Sequence, residues 1–253
     1  MIGRLKIVVP SFNSVSYIER TLHSLEIQNF KDFDACIIDD CSTIAKQREI
    51  ITEYCTRNKW HTLFNEKNHG ALYGLVHAIE KLKCQDDDVI VVIDGDDWLA
   101  HENVFGMLHQ IYTENDLLLT WGQCEVYPAG KTPMKYAQPI PQMVVDQKLY
   151  RDIPFVFWHP STFKYLLWRQ IKDADLRDIN GEYFRILYDQ ASLFPMLEMA
   201  GKKIRFIDET LYIYNLENPL NDYMTTPREE SERVKTMIKS KPRYETLSIA
   251  SNE

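Results

Sequence analysis

Short uninterrupted apolar runs alternate along the chain with stretches whose apolar residues recur every three or four positions. "LKIVV" (5–9) reads as a buried strand stopped at Pro10, and "SVSYIERTLHSLEIQ" (14–28) carries Tyr17, Ile18, Leu22 and Leu25 at helical spacing. "FDACIID" (33–39) is a second strand, followed by a helix to about residue 58 that Ser42 or Thr43 is placed to cap. "HTLFN" (61–65) is a short third strand, and Gly70 opens the amphipathic helix "ALYGLVHAIEKL". "DVIVVID" (88–94) is a fourth strand, "ENVFGMLHQIY" (102–112) a helix and "DLLLTWG" (116–122) a fifth strand. Strands alternating with helices predict an α/β architecture with a parallel sheet, and runs apolar on every residue predict strands covered on both faces.

Beyond residue 122 the alternation weakens. "EVYPAGKTPMKYAQPIPQ" (125–142) is proline-rich and reads as an irregular loop, "DQASLFPMLEMAG" (189–201) as a helix closed by Gly201, and "KIRFIDETLYIYN" (203–215) as a late strand or hairpin. The polar tail from Thr225 predicts a peripheral helix with a loose end. The expected division is a nucleotide-binding half over 1–122, an acceptor and catalytic-base half over 123–222, and a peripheral segment over 223–253.

The candidate chemistry lies where strands end. In "DDDVIVVIDGDDWLA" (86–100) a buried strand runs straight into Asp94, Gly95, Asp96 and Asp97. Carboxylates this crowded repel one another unless a cation lies between them, they share a proton, or they sit solvated in a turn. In parallel sheets ligands bind beyond the carboxyl ends of the strands, which brings Asn13, Asp39, Asp40 and Asp94 to Asp97 to one edge.

Composition narrows the classes. A chain of 253 residues with 45% hydrophobic and 26% charged residues can bury a sizeable core. The net charge of −8 argues against a nucleic-acid surface, which needs a basic face. Five scattered cysteines without a C-x-x-C form neither a disulfide framework nor a zinc site, and fit a reducing compartment. No apolar run approaches membrane-spanning length, so the expectation is a cytoplasmic protein without an integral membrane segment.

Five segments, "IVVPSFN" (7–13), "IIDDCST" (37–43), "NHGALYG" (68–74), "VIDGDDW" (92–98) and "YDQASLFPMLEMAG" (188–201), occur in the order and spacing of a known family. Over roughly residues 4–215 the chain resembles the inverting nucleotide-sugar glycosyltransferases of family 2. The resemblance implies the GT-A fold: a Rossmann-like α/β single domain with a mixed, mostly parallel sheet flanked by helices and an acceptor-side C-terminal half. It also implies a UDP-sugar donor (glucose, galactose or N-acetylglucosamine), a glycan or protein acceptor, and Mn2+ or Mg2+ as cofactor. Carried over by residue, Pro10 and Asn13 border the nucleotide pocket, and Asp40 accepts a hydrogen bond from uracil. Asp94 lies near the ribose, Asp96 on the metal with Asp94, and Asp97 assists the metal or the donor sugar. Asp189 is the catalytic base. Two positions depart from the family: Cys41 stands where Gly is usual, and Tyr188 where Glu usually precedes the base.

The chemistry fits these residue types. A leaving nucleoside diphosphate builds negative charge that a cation on hard oxygen ligands neutralises, so the carboxylate turn reads as a metal seat. Backbone amides after Gly70, opening a helix, are placed to face phosphate or merely to form a turn. Inversion needs a base on the face opposite the leaving group; Asp189 suits that role and equally a helix cap, with Asp175, Asp178 and Glu182 the other acids nearby. Trp98, Trp158 and His159 are candidates for contact with donor or acceptor sugar, against a plain packing role. A nucleotidyltransferase would want a glycine-rich basic loop after the first strand, where "PSFNSVSY" stands; a non-catalytic carbohydrate-binding relic would have no use for the crowded acids.

Overall fold

The computed structural model describes residues 2–129, 137–220 and 225–248. Strand β1 (Leu5–Ser11) leads to helix α1 (Ile18–Glu26), β2 (Phe33–Asp39) to α2 (Ala45–Asn58), and β3 (His61–Phe64) to α3 (Ala71–Lys81). Then come β4 (Val89–Val92), the two-residue β5 (Trp98–Leu99), α4 (Val104–Glu114) and β6 (Leu119–Tyr127). A short α5 (Gln142–Asp146), β7 (Thr162–Lys164), α6 (Tyr165–Trp168), α7 (Tyr188–Ala200), β8 (Ile204–Asn215) and α8 (Arg228–Ser240) complete the described elements.

The strands form one sheet in the order β3-β2-β1-β4-β7-β6-β8-β5. β1, β2, β3 and β4 run parallel, β7 lies antiparallel between β4 and β6, and β8 returns parallel to β6. The sheet is thus mixed and mostly parallel, as expected. Side chains leave it with period two: Ile7, Val9, Ile37 and Val91 enter the core under α1, α2 and α4. Val8, Cys36, Ile38, Ile90 and Val92 enter the other, under α3 and α7. Both faces are covered, which is why these strands read as unbroken apolar runs.

Several expected elements shift. β7 and β5 are too short to leave a periodic signal. β6 begins at Leu119 and runs through Tyr127, so residue 122 lies inside it and residues 125–127 belong to a strand. Of the expected loop, residues 130–136 lie outside the described residues. Residues 204–215 form a single strand, not a hairpin. α2 starts at Ala45, behind an Ile44 that makes no side-chain cap, so Ser42 and Thr43 do not cap it.

The tail is held down. Val234 and Ile238 of α8 are buried. Arg151 and Glu198, both within 1% of full burial, pair at 2.7 Å. Arg151 also donates to the carbonyl oxygen of Lys241 at 2.6 Å, while Glu198 accepts from the Tyr244 backbone N–H at 2.9 Å. The Tyr244 hydroxyl donates to Asp175 at 2.6 Å. The loose end expected after the helix is therefore pinned as far as Leu247, whose N–H donates to the Met199 carbonyl oxygen; residues 249–253 lie outside the described residues.

Candidate active site

Because β1, β2, β4, β6 and β8 share one direction, their carboxyl ends open on one edge. That edge gathers Ser11 to Asn13, Asp39 to Thr43, the Asp94 to Asp97 turn, and Asn215 to Asn218. Trp158 to Ser161 precede the antiparallel β7 and so arrive at the same edge.

The acid turn is held tightly. A Cβ on Gly95 would overlap Ser11 Cβ and come within 2.9 Å of the Pro10 carbonyl oxygen, and the Gly95 N–H donates to that same oxygen at 2.9 Å. Glycine is needed here for this close approach to the end of β1. Pro10 thus supports the turn as well as bordering the edge.

The three carboxylates of the turn have different surroundings. Asp97 is 1% exposed; Tyr212 donates its hydroxyl to one oxygen at 2.8 Å and Asn215 its backbone N–H to the other at 2.8 Å. Its place is under the turn, locked to β8, and it does not reach the open edge with its neighbours. Burial, then the Asp96 and Asp94 charges, push its pKa well above the usual carboxylate range. Asp96 is half-buried and accepts from the Asn218 side-chain amide at 2.8 Å. Burial and the nearby Asp94 charge push it up to about 6. Asp94, also half-buried, accepts from the Tyr188 hydroxyl at 2.6 Å, and its second oxygen lies 3.5 Å from His159 Nε2. Burial raises its pKa against the pull of Tyr188.

α7 enters from the other side. Asp189 is its second residue, with Leu187 at the cap position, so Asp189 is not the helix cap. One of its oxygens accepts from the Gln190 N–H at 2.8 Å. Burial pushes Asp189 up to about 6, with His159 pulling the other way. His159 stacks on Tyr212 at 4.8 Å between ring centroids; burial lowers its pKa, while Asp189 and Asp96 push it back up. Asp94, His159, Tyr188 and Asp189 therefore form one cluster, with Asp96 beside it. Asp175 is taken by Tyr244, and Asp178 is folded into its own turn, accepting from the N–H groups of Asn180 and Glu182.

The remaining predicted residues are more structural than expected. Asp40 is 4% exposed and accepts from the Asn65 side-chain amide at 2.7 Å and from the N–H groups of His69 and Gly70 at 3.0 and 2.7 Å. The Gly70 amide thus faces Asp40, and both oxygens of this carboxylate are engaged by residues 65–70. Gly70 is required for its positive φ of 89°. Asn13 accepts from the Thr43 N–H at 2.9 Å and clips the end of β1 to the 41–43 turn. Cys41, which stands where the family usually has Gly, adopts φ 68°, in the left-handed region that favours glycine. Trp98 is nearly buried, with Arg20 3.7 Å from its ring centre, so that face of the ring is not open to sugar. Trp158 is half-buried and meets Tyr214 edge-on at 5.8 Å.

Sequence reasoning missed Tyr212, Asn215 and Asn218, whose hydrogen bonds place them beneath the acid turn, and read Tyr188 only as a departure. It also passed over Phe12, 40% exposed at the end of β1. An exposed aromatic next to a pocket-bordering asparagine was a readable signal.

Asp94 and Asp96 suit a divalent cation: two hard oxygen donors, half-buried, with pKa values raised by burial and, for Asp96, by the Asp94 charge. Among the described residues no set of three or more His, Cys, Asp or Glu side chains is arranged to hold an ion by itself. The fit is to a cation shared with a ligand's phosphates, the usual arrangement where one or two carboxylates hold the metal.

The family model for glycosyl transferase family 2 matches residues 6–172. The uncharacterized glycosyltransferase EpsJ of Bacillus subtilis is 25% identical over 225 residues, covering 87% of this chain and 62% of EpsJ. Another Bacillus subtilis relative is spanned over only 36% of its length, so the chain covers between about a third and two thirds of these relatives. Among solved structures, Staphylococcus aureus TarS 1–349 in complex with UDP-GlcNAc superposes with a TM-score of 0.65 at 17% identity, over 93% of this chain and 66% of that one. The mannosyltransferase PcManGT of Pyrobaculum calidifontis, in complex with GDP-Man and Mn2+, gives 0.57 at 14% identity, over 93% and 61%. These structures share the GT-A fold with this one. With two thirds of its length matched by the family model, the chain belongs to glycosyl transferase family 2.

Proposed function

We propose that the chain moves a sugar from a UDP-sugar, with inversion, to a hydroxyl of a glycan or protein acceptor. The observation that carries the reading is the meeting of Asp94 and Asp96 with Asp189 at one sheet edge. The first two come from the tip of β4 and the third from the start of α7. One segment supplies charge to hold a donor, the other a carboxylate to receive a proton.

Asp96, with Asp94, would hold Mn2+ or Mg2+ together with the diphosphate, and the ion would neutralise charge building on the leaving group. Asn13 and Phe12 line the edge where the nucleoside would lie, and Phe12 offers an apolar face to the base. Asp189 takes the proton of the attacking hydroxyl. Its pKa of about 6 leaves it ionised at neutral pH while keeping it more basic than an ordinary aspartate. His159 lies between the donor acids and Asp189. The solved relative with UDP-GlcNAc supports a uridine donor, and the one with GDP-Man and Mn2+ supports a divalent metal.

The test is release of UDP from UDP-glucose, UDP-galactose and UDP-GlcNAc, each with Mn2+ and with chelator. Metal-dependent release from one of them is expected. A nucleotidyltransferase would leave the UDP-sugars intact and release pyrophosphate only from a nucleoside triphosphate supplied with a sugar phosphate, and a non-catalytic protein would release neither product.

A further inference from the structure

Tyr188 stands immediately before Asp189, in the position where the family usually has Glu. Its hydroxyl donates to Asp94 Oδ1 at 2.6 Å, bridging 94 positions of sequence from the helix that carries the base to the turn that carries the donor acids. A glutamate there would bring another negative charge towards Asp94. A tyrosine brings a donor, and its hydroxyl stays protonated: burial and then the Asp94 charge push its pKa well above the usual phenol value.

On the other side of Asp94 lies His159 Nε2, at 3.5 Å, and His159 is itself stacked on Tyr212. The Tyr212 hydroxyl accepts from the Asp94 N–H at 3.0 Å and donates to Asp97. The backbone of Asp94 is thus fixed from β8. Its side chain is fixed from α7, and Tyr188 makes the short contact.

We infer that Tyr188 is a positioning residue: it fixes the Asp94 carboxylate for the donor and its metal, and ties that carboxylate to the helix bearing Asp189. The inference rests on the proposed donor site. Partners of this kind orient a ligating carboxylate without touching the ligand, and losing one typically costs 10- to 100-fold in affinity.

The experiment is a double-mutant cycle with Tyr188→Phe and Asp94→Asn. Tyr188→Phe keeps the ring and removes only the hydroxyl. Two readouts are taken beside the melting temperature: calorimetric UDP affinity in the presence of Mn2+, and Mn2+ affinity from the electron paramagnetic resonance of the free ion. In the native background, Tyr188→Phe is expected to weaken UDP with Mn2+ by 10- to 100-fold. In the Asp94→Asn background the same change should cost less than about threefold, because a residue acting through Asp94 has nothing left to position. Equal losses in both backgrounds would mean a general packing role and overturn the inference, as would an unchanged affinity in the single variant. A wild-type chain that binds neither UDP nor Mn2+ would overturn the donor site itself, and this inference with it.

Discussion

Asp189 has to remain ionised at neutral pH and yet be basic enough to accept a proton. Burial does the second by raising its pKa to about 6, and the Gln190 N–H, then His159, limit the rise. Transfer should therefore fall about tenfold per pH unit below about 6, as the base becomes protonated. The same shift has a sign for stability: a carboxylate with a raised folded pKa stabilises the fold at low pH. That contribution is lost as pH rises from about 4 through about 6. Asp189→Asn keeps the size and removes the basicity. Transfer should drop by about 10²–10⁴-fold while UDP affinity, measured by calorimetry, stays within about twofold. At Cys41 the prediction is about backbone. An L residue in the left-handed region costs roughly 1–2 kcal/mol, so Cys41→Gly should raise the melting temperature by about 2–4 °C or more. At this scale the sequence shows which acids matter but not how far each is used. Asp40, Asp96 and Asp97 look alike in a string. Only the hydrogen bonds of Asn65, Tyr212 and Asn215 separate the two that hold the scaffold from the one that faces the open edge.

Among elements, the acid turn depends on its neighbours more than on its own residues. β1 presses on it from one side through Ser11 and Pro10, and β8 with the segment after it holds it from beneath through Tyr212, Asn215 and Asn218. Gly95→Ala would force the turn away from β1. Donor affinity should fall by at least about tenfold and the melting temperature should drop; equal calorimetric affinity for UDP with Mn2+ would show that the turn tolerates the shift. The central strands were legible as unbroken apolar runs, and the amphipathic helices because their periodicity extends over many residues. β5 and β7 were not, because two or three residues carry no period, and it is these two antiparallel strands that make the sheet mixed. β8 was readable as a strand, whereas its partnership with β6 and its hold on residues 94–97 depend on long-range pairing that local pattern does not encode.

In the whole molecule, the C-terminal segment closes over α7 through the buried Arg151–Glu198 pair. Glu198→Ala would strand the arginine charge in the core, and loss of one buried partner costs about 3–5 kcal/mol. Urea unfolding should show a midpoint lowered by that energy divided by the denaturant slope, and an unchanged midpoint would mean that Arg151 finds water. Since α7 also carries Asp189 and Tyr188, this clasp supports the site from behind. The account as a whole turns on the carboxylate pair at the tip of β4 acting as the seat of a metal-assisted donor. The most direct measurement is Mn2+-dependent UDP release from the preferred UDP-sugar by the native chain and by Asp96→Ala, with melting temperatures taken alongside. Loss of several kcal/mol of charge stabilisation predicts a fall on the order of 10²-fold or more at a nearly unchanged melting temperature. Release by Asp96→Ala at the native rate would contradict it.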